Sequence, residues 1–170
     1  MGCAVGYDGR HFEVENPDPL ILPSERDGAW DSISTAYLRP FRLGDRILGL
    51  YMGNGGRRDA PGVAYNRQGI LRSRDYLHWE RVREEALLGP DEKDDWGTVR
   101  HSGVHVRSDE LLDVYYSTRT GPDLDREVLR VARVDASAPP EDWQAVRLGT
   151  LLEPDLEWEG DDLRDPYPFE

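Results

Sequence analysis

Blocks of this chain recur at a fixed spacing of 64 residues, and that spacing constrains the fold more than any single motif. Leu43-Gly-Asp-Arg-Ile-Leu-Gly-Leu-Tyr51 returns as Arg107-Ser-Asp-Glu-Leu-Leu-Asp-Val-Tyr115. His78-Trp79-Glu-Arg-Val82 returns as Asp142-Trp143-Gln-Ala-Val146, and Leu87-Leu-Gly-Pro90 as Leu151-Leu-Glu-Pro154. The pairs Tyr51/Tyr115, Trp79/Trp143, Val82/Val146 and Pro90/Pro154 all share the difference 64. One structural unit is used more than once.

Each copy reads as short strands joined by turns. In the first, Tyr37 to Leu43 is rich in apolar residues, Gly44-Asp45 supplies a hairpin turn, and Ile47 to Met52 returns. A Gly-rich connection from Gly53 to Gly62 leads to a third strand at Gly69 to Ser73, and Arg74-Asp75 turns into a fourth at Trp79 to Val82. The second copy places strands at Gly103 to Val106, Leu111 to Ser117, Glu127 to Arg133 and Trp143 to Arg147. Helical periodicity is arguable only from Arg81 to Leu88. Four antiparallel strands joined by consecutive hairpins make one blade of a β-propeller, so the expected class is all-β.

The phase of the repeat sets the organisation. Asp8-Gly-Arg-His-Phe12 matches the Asp75-Tyr-Leu-His-Trp79 turn, so residues 1–29 read as the end of a blade. Residues 30–90 and 91–154 are then two full blades, and 155–170 start another. A closed ring needs more blades, because an open arc leaves sheet faces and edges uncovered. The expected partners are therefore further blades of a larger chain, or a second copy of this one.

Composition excludes several functions. A formal net charge of -13 opposes nucleic acid and anionic membrane, which both demand a basic face. Lys93 is the single lysine, as a GC-rich coding sequence would give more simply than a halophilic surface. No apolar run approaches a membrane span and no signal peptide precedes the first strand, so a cytoplasmic location is the default expectation. One cysteine rules out an internal disulfide, and no zinc-ligand spacing is present. No cofactor is expected. A structural calcium ion at Asp91 to Asp95, or at Glu157, Glu159, Asp161 and Asp162, is a minority reading beside a solvated loop.

Innermost strands line the channel of a propeller, so their first residues share one mouth. They start at Trp30-Asp31, at Trp96-Gly-Thr-Val-Arg100-His101 and at Trp158-Glu-Gly-Asp-Asp-Leu-Arg164-Asp165-Pro166. Arg100 precedes Arg164, and His101 precedes Asp165, by the same 64. Polar groups far apart in sequence are thereby expected to converge.

Arg164-Asp165-Pro166 with Tyr167-Pro-Phe169 resembles the Arg-Asp-Pro strand of five-bladed propeller glycosidases, families 32, 43, 68 and relatives. Ser73-Arg-Asp75-Tyr-Leu-His-Trp79-Glu resembles the outer-strand signature of that superfamily. Leu48 to Gly53 and Leu112 to Ser117 resemble its second strand. The resemblance implies a carbohydrate substrate and hydrolysis of a glycosidic bond by carboxylates. Such a pair lies about 5–5.5 Å apart for retention and about 6.5–9.5 Å for inversion, with a third carboxylate raising the acid's pKa.

By that resemblance Asp165 is the transition-state-stabilising aspartate, Asp31 and His101 are the other catalytic candidates, and no metal is involved. Arg164, Arg100, Trp30 and Trp96 are the candidate substrate-binding residues. The general acid falls outside the chain, which leaves the catalytic set incomplete. Each residue also has a plainer reading. Asp165 before Pro166 can cap a strand turn, His101 can be a hydrogen-bonded channel residue, Asp31 a turn residue, and the tryptophans inter-blade packing. A non-catalytic propeller binding a sugar or a protein is the rival function.

Overall fold

The computed structural model describes residues 2–55, 65–90, 98–120, 126–156 and 159. A hairpin of β1 (Cys3–Val5) and β2 (Glu13–Asn16) comes first. Two four-stranded antiparallel sheets follow, each in chain order: β3 (Ser34–Leu43), β4 (Arg46–Asn54), β5 (Asn66–Ser73) and β6 (Trp79–Arg81), then β7 (Val99–Ser108), β8 (Leu111–Thr120), β9 (Arg126–Asp135) and β10 (Ala145–Leu152). Among the described residues there is no α-helix, only a 3-10 turn at Pro140–Asp142. The protein is an all-β propeller arc whose two full sheets are its blades. Their innermost strands, β3 and β7, touch across the junction.

Strand ends differ from the sequence expectation for local reasons. The fourth strand of the second blade begins at Ala145, not Trp143, because Pro139 and Pro140 set up the 3-10 turn first. Residues 81–88 form no helix. After β6 the chain bends, and Leu88 bridges back to Gln68.

The repeat spacing shifts inside the second hairpin. In the first blade Arg39 pairs with Leu50 and Ala36 with Met52, whereas in the second Gly103 pairs with Tyr115 and Arg100 with Ser117. The inner strands are thus 64 apart, but the second strands are 65 apart. Gly44, at φ 60°, opens the first hairpin turn, while Asp109-Glu110 makes the second turn without a glycine. A bulge between Val106 and Ser108 absorbs the extra residue. A one-residue slip turns a strand over. Tyr51 therefore does not correspond to Tyr115, as the sequence spacing suggested. Its counterpart is Tyr116, and both are 1% exposed.

The blades are joined by an apolar face and a polar clamp. Leu48, Leu50 and Ile70 pack against Leu112, Val114, Val134 and Trp143. Beside them Gln68, buried, accepts a hydrogen bond from Ser102 Oγ at 2.7 Å and donates Nε2 to the Val99 carbonyl at 3.1 Å. Asn66 Nδ2 donates to Thr98 Oγ1 at 3.2 Å, and Arg83 Nη1 to the Trp143 carbonyl at 2.7 Å. The same positions on the far face of the second blade carry Asp113, held by Arg133 and Arg107, and Tyr115. On the outer strand, Val146, Leu148, Leu151 and Leu152 are exposed.

The two Asp-x-x-His turns are built alike, as their sequences suggest. Asp8 Oδ1 accepts from the backbone of Arg10 and His11, and Asp75 Oδ1 from that of Leu77 and His78. The other oxygen meets the histidine Nδ1, at 2.5 Å in the first turn and 2.7 Å in the second. His11 and the backbone donors hold the Asp8 carboxyl down from 3.8 to about 2, and Asp75 is lowered for the same reasons.

Two expected outcomes follow from this architecture. Trp143→Ala, at a site 1% exposed, lowers unfolding stability by about 3–5 kcal/mol, whereas Val146→Thr, at 61%, changes it by less than about 0.5 kcal/mol; denaturant titration reads both. An NMR titration finds the Asp8 carboxyl at about 2, and His11→Ala moves it back towards 3.8. Because the folded value lies below the unfolded one, the turn's contribution is complete above the unfolded value and fades as pH falls through the folded one.

Candidate functional site

The innermost strands of both blades carry a bulge at the same place. Tyr37 and Leu38 stand opposite Tyr51, and His101 and Ser102 opposite Tyr116. Tyr37 has φ 53° and His101 φ 43°, left-handed conformations that cost non-glycine residues energy. Bulges and strained residues of this kind gather at functional sites because they re-aim a side chain out of the strand's alternation. Here both are re-aimed towards each other. Their ring centroids are 4.9 Å apart at 61°, edge to face, across the junction between the blades. Both side chains reach solvent.

The surroundings fix this pair. Ser102 is buried and tied to Gln68, whose amide also holds the Val99 carbonyl, so the bulge at His101 is pinned from both sides. Arg39 lies with its guanidinium carbon 5.7 Å from the Tyr37 ring centroid and donates to the Leu38 carbonyl at 3.4 Å. Arg100, half-buried, sits 3.9 Å from Glu127, whose other oxygen accepts from Ser117 Oγ at 2.6 Å.

Of the residues expected at the mouth, His101 and Arg100 are adjacent on β7. Asp165, Arg164 and Trp96 lie outside the described residues, as do Trp158 and the acidic loop at 91–95. Asp31 is placed elsewhere. It is 2% exposed, accepts from the Tyr51 hydroxyl at 2.8 Å and from Arg81 Nε at 2.8 Å, and packs its Cβ over Gly53. Burial and the Asp31 charge push the Tyr51 hydroxyl pKa up, so it stays a donor. Both groups that face this carboxylate belong to the sheet, on β4 and on the outermost strand β6. Asp31 thus ties the loop before β3 to the sheet, and the groups it meets are Tyr51 and Arg81.

Trp30 packs against the same tyrosine. Its ring lies 5.3 Å from that of Tyr51, tilted by 37°, and its Nε1 donates to the Glu84 carbonyl at 2.8 Å. One edge of it borders a cleft of about 290 Å³ with Arg26, Tyr65, Arg67 and Glu84. Among the described residues no three His, Cys, Asp or Glu side chains gather as a metal-ion group.

Sequence reasoning missed Tyr37. The signal was present: Tyr37 precedes His101 by 64 residues, as His101 precedes Asp165. Counting back from Asp165 through the repeat gives Tyr37, whereas counting from the tryptophans gave Asp31.

No protein-family profile and no curated protein matches the chain. Solved structures do. A glycosyl hydrolase from Bacteroides ovatus matches at a TM-score of 0.59 and 23% identity, over 77% of this chain and 39% of that one. A structure from work on the GH130 family of mannoside phosphorylases, said to contain glycoside hydrolases that target β-1,2 mannosidic linkages in Candida mannan, matches at 0.59 and 21%, over 85% and 40%. A third, a glycoside hydrolase, matches at 0.56 and 18%, over 81% and 35%. The fold is that of a glycosidase propeller. This chain spans no more than about two fifths of the length of those three structures. The paired bulges sit on the first strands of the two blades of this propeller.

Asp31→Ala is expected to lower unfolding stability by on the order of 3 kcal/mol, since it strands Arg81 and the Tyr51 hydroxyl without their acceptor. Denaturant unfolding checks the loss, and NMR shifts of the His101 imidazole stay as in the unaltered chain.

Proposed function

We propose that this chain is part of a carbohydrate-active propeller of the glycoside hydrolase type, and that the Tyr37–His101 pair forms part of its sugar-binding surface. The observation that carries this is the matched pair of strained bulges bringing an aromatic ring and an imidazole together from successive innermost strands. Apolar ring faces with a few fixed polar groups are what a sugar site requires. Likeness to glycosidase folds supports the substrate class.

In this reading the sequence repeat assigns Asp165 the third equivalent position, after Tyr37 and His101, with Arg164 beside it as Arg100 is beside His101. Asp165 is then the carboxylate of the set, and His101 binds rather than acts as base. The general acid belongs to a further blade, and the arc alone does not hydrolyse glycosides. Five blades in all, and kinship with families 32, 43 and 68, are part of the same proposal. Further blades or a second copy would cover the leucines of β10, which are exposed here. The rival reading, a propeller that binds without cleaving, is favoured by one observation: the two described positions of the set carry tyrosine and histidine in place of carboxylates.

Titration of the 170-residue chain with a panel of oligosaccharides tests the reading, followed by calorimetry for every variant and by NMR shifts of the His101 imidazole where it is present. At least one saccharide is expected to bind, and Tyr37→Ala and His101→Ala are each expected to weaken it at least tenfold with an unchanged unfolding midpoint. Absence of binding by every saccharide would overturn the site. Hydrolysis of aryl glycosides by the chain, abolished in Asp165→Asn, would overturn the claim that it is catalytically incomplete.

A further inference from the structure

The charge on the innermost strands runs against that of the whole chain. The protein has 34 acidic residues against 21 Lys and Arg, yet β3 and β7, twenty residues between them, contain no aspartate or glutamate. They carry instead four arginines and two histidines. Two of the arginines are matched by carboxylates of neighbouring strands: Arg107 lies 3.0 Å from Asp113, and Arg100 lies 3.9 Å from Glu127. Arg39 is different. Its partners are the Leu38 carbonyl and the face of Tyr37, with no carboxylate among the described residues. His101 meets the same ring edge to face, its centroid 4.9 Å away. Neither innermost strand brings a carboxylate of its own to this site, so a guanidinium and an imidazole stand against one aromatic ring as a donor set suited to an external anion.

We propose that the Tyr37–His101 site takes an acidic saccharide, one whose sugar carries a carboxylate or another anionic group, with Arg39 and His101, both against the Tyr37 ring, meeting the anion. This rests on the reading of the bulges as a sugar-binding surface and adds its charge class. Arg39 supplies a planar, permanently charged fork suited to a carboxylate, and the imidazole supplies an N–H. The surrounding negative field works against any anion, so binding is short-range and confined to this one cationic spot.

The test compares three probes on the full chain by NMR and calorimetric titration: trigalacturonic acid, the neutral galactotriose of the same length, and galactose 6-phosphate. Trigalacturonic acid is expected to bind at least tenfold more tightly than the neutral trisaccharide, and the advantage falls as salt is raised to 0.5 M. Arg39→Gln is expected to collapse the ratio of the two affinities towards one, with its unfolding midpoint checked. Because Arg39 is exposed, that variant is expected to fold, and His101→Gln serves as the second variant. Tighter binding of galactose 6-phosphate than of the uronate supports the acidic class and assigns a phosphate ester. Neutral binding equal to or tighter than acidic binding would overturn the inference while leaving the sugar site intact, as would an acid preference that survives Arg39→Gln. Failure of all three probes, alongside a failed saccharide panel, would overturn both.

Discussion

The junction between the two blades is the contact on which everything else in this protein depends. Its apolar part, Leu48, Leu50 and Ile70 against Leu112, Val114, Val134 and Trp143, supplies the non-directional attraction that brings the sheets together. Such a contact alone would tolerate sliding. The buried amide of Gln68 removes that freedom, since its two ends are bound to Ser102 and to the Val99 carbonyl. A buried amide is stable only when both ends are satisfied, so these bonds fix one relative placement of β5 and β7. They also flank His101, and the site thereby inherits its geometry from the packing of the blades.

How much of this was legible in the sequence depends on what kind of signal each residue carries. The spacing of 64 showed the two sheets and their hairpin order, and the shared Asp-x-x-His pattern showed the kinship of the Asp8 and Asp75 turns, because turns and aromatic anchors are local and repeat visibly. Strand faces were not legible in the same way. The bulge after Val106 is set by a hairpin turn without glycine, and its effect is to exchange Tyr115 for Tyr116 in the core. Sequence similarity between the copies does not register a one-residue phase change, whereas a pleated strand does.

The site shows the same division. His101 and Arg100 were found through the repeat, but Asp31 was chosen for lying after a tryptophan near a strand start. Its structural task could not be read there, because its partners, Tyr51 and Arg81, are 20 and 50 residues away on other strands. Tyr37 was passed over for the opposite reason. An aromatic residue in an apolar strand looks like core, and only its positive φ and its contact with His101 show that it is turned outward.

The single bulge after Val106 also bears on how such a molecule can change over generations. Because it turns over everything downstream in β8, the two blades carry different chemistry on corresponding faces, Leu48 in one and Asp113 with its arginines in the other. No accumulation of individual replacements is needed for that difference; one inserted position accomplishes it. Modular exchange between the copies is limited accordingly. A hybrid that joined β3 to β8 at the aligned spacing of 64 would set Asp113 at the place of Gly49 and Tyr116 at that of Met52. Whole hairpins, bulge included, are the smallest units that could be shuffled with their inner and outer faces preserved.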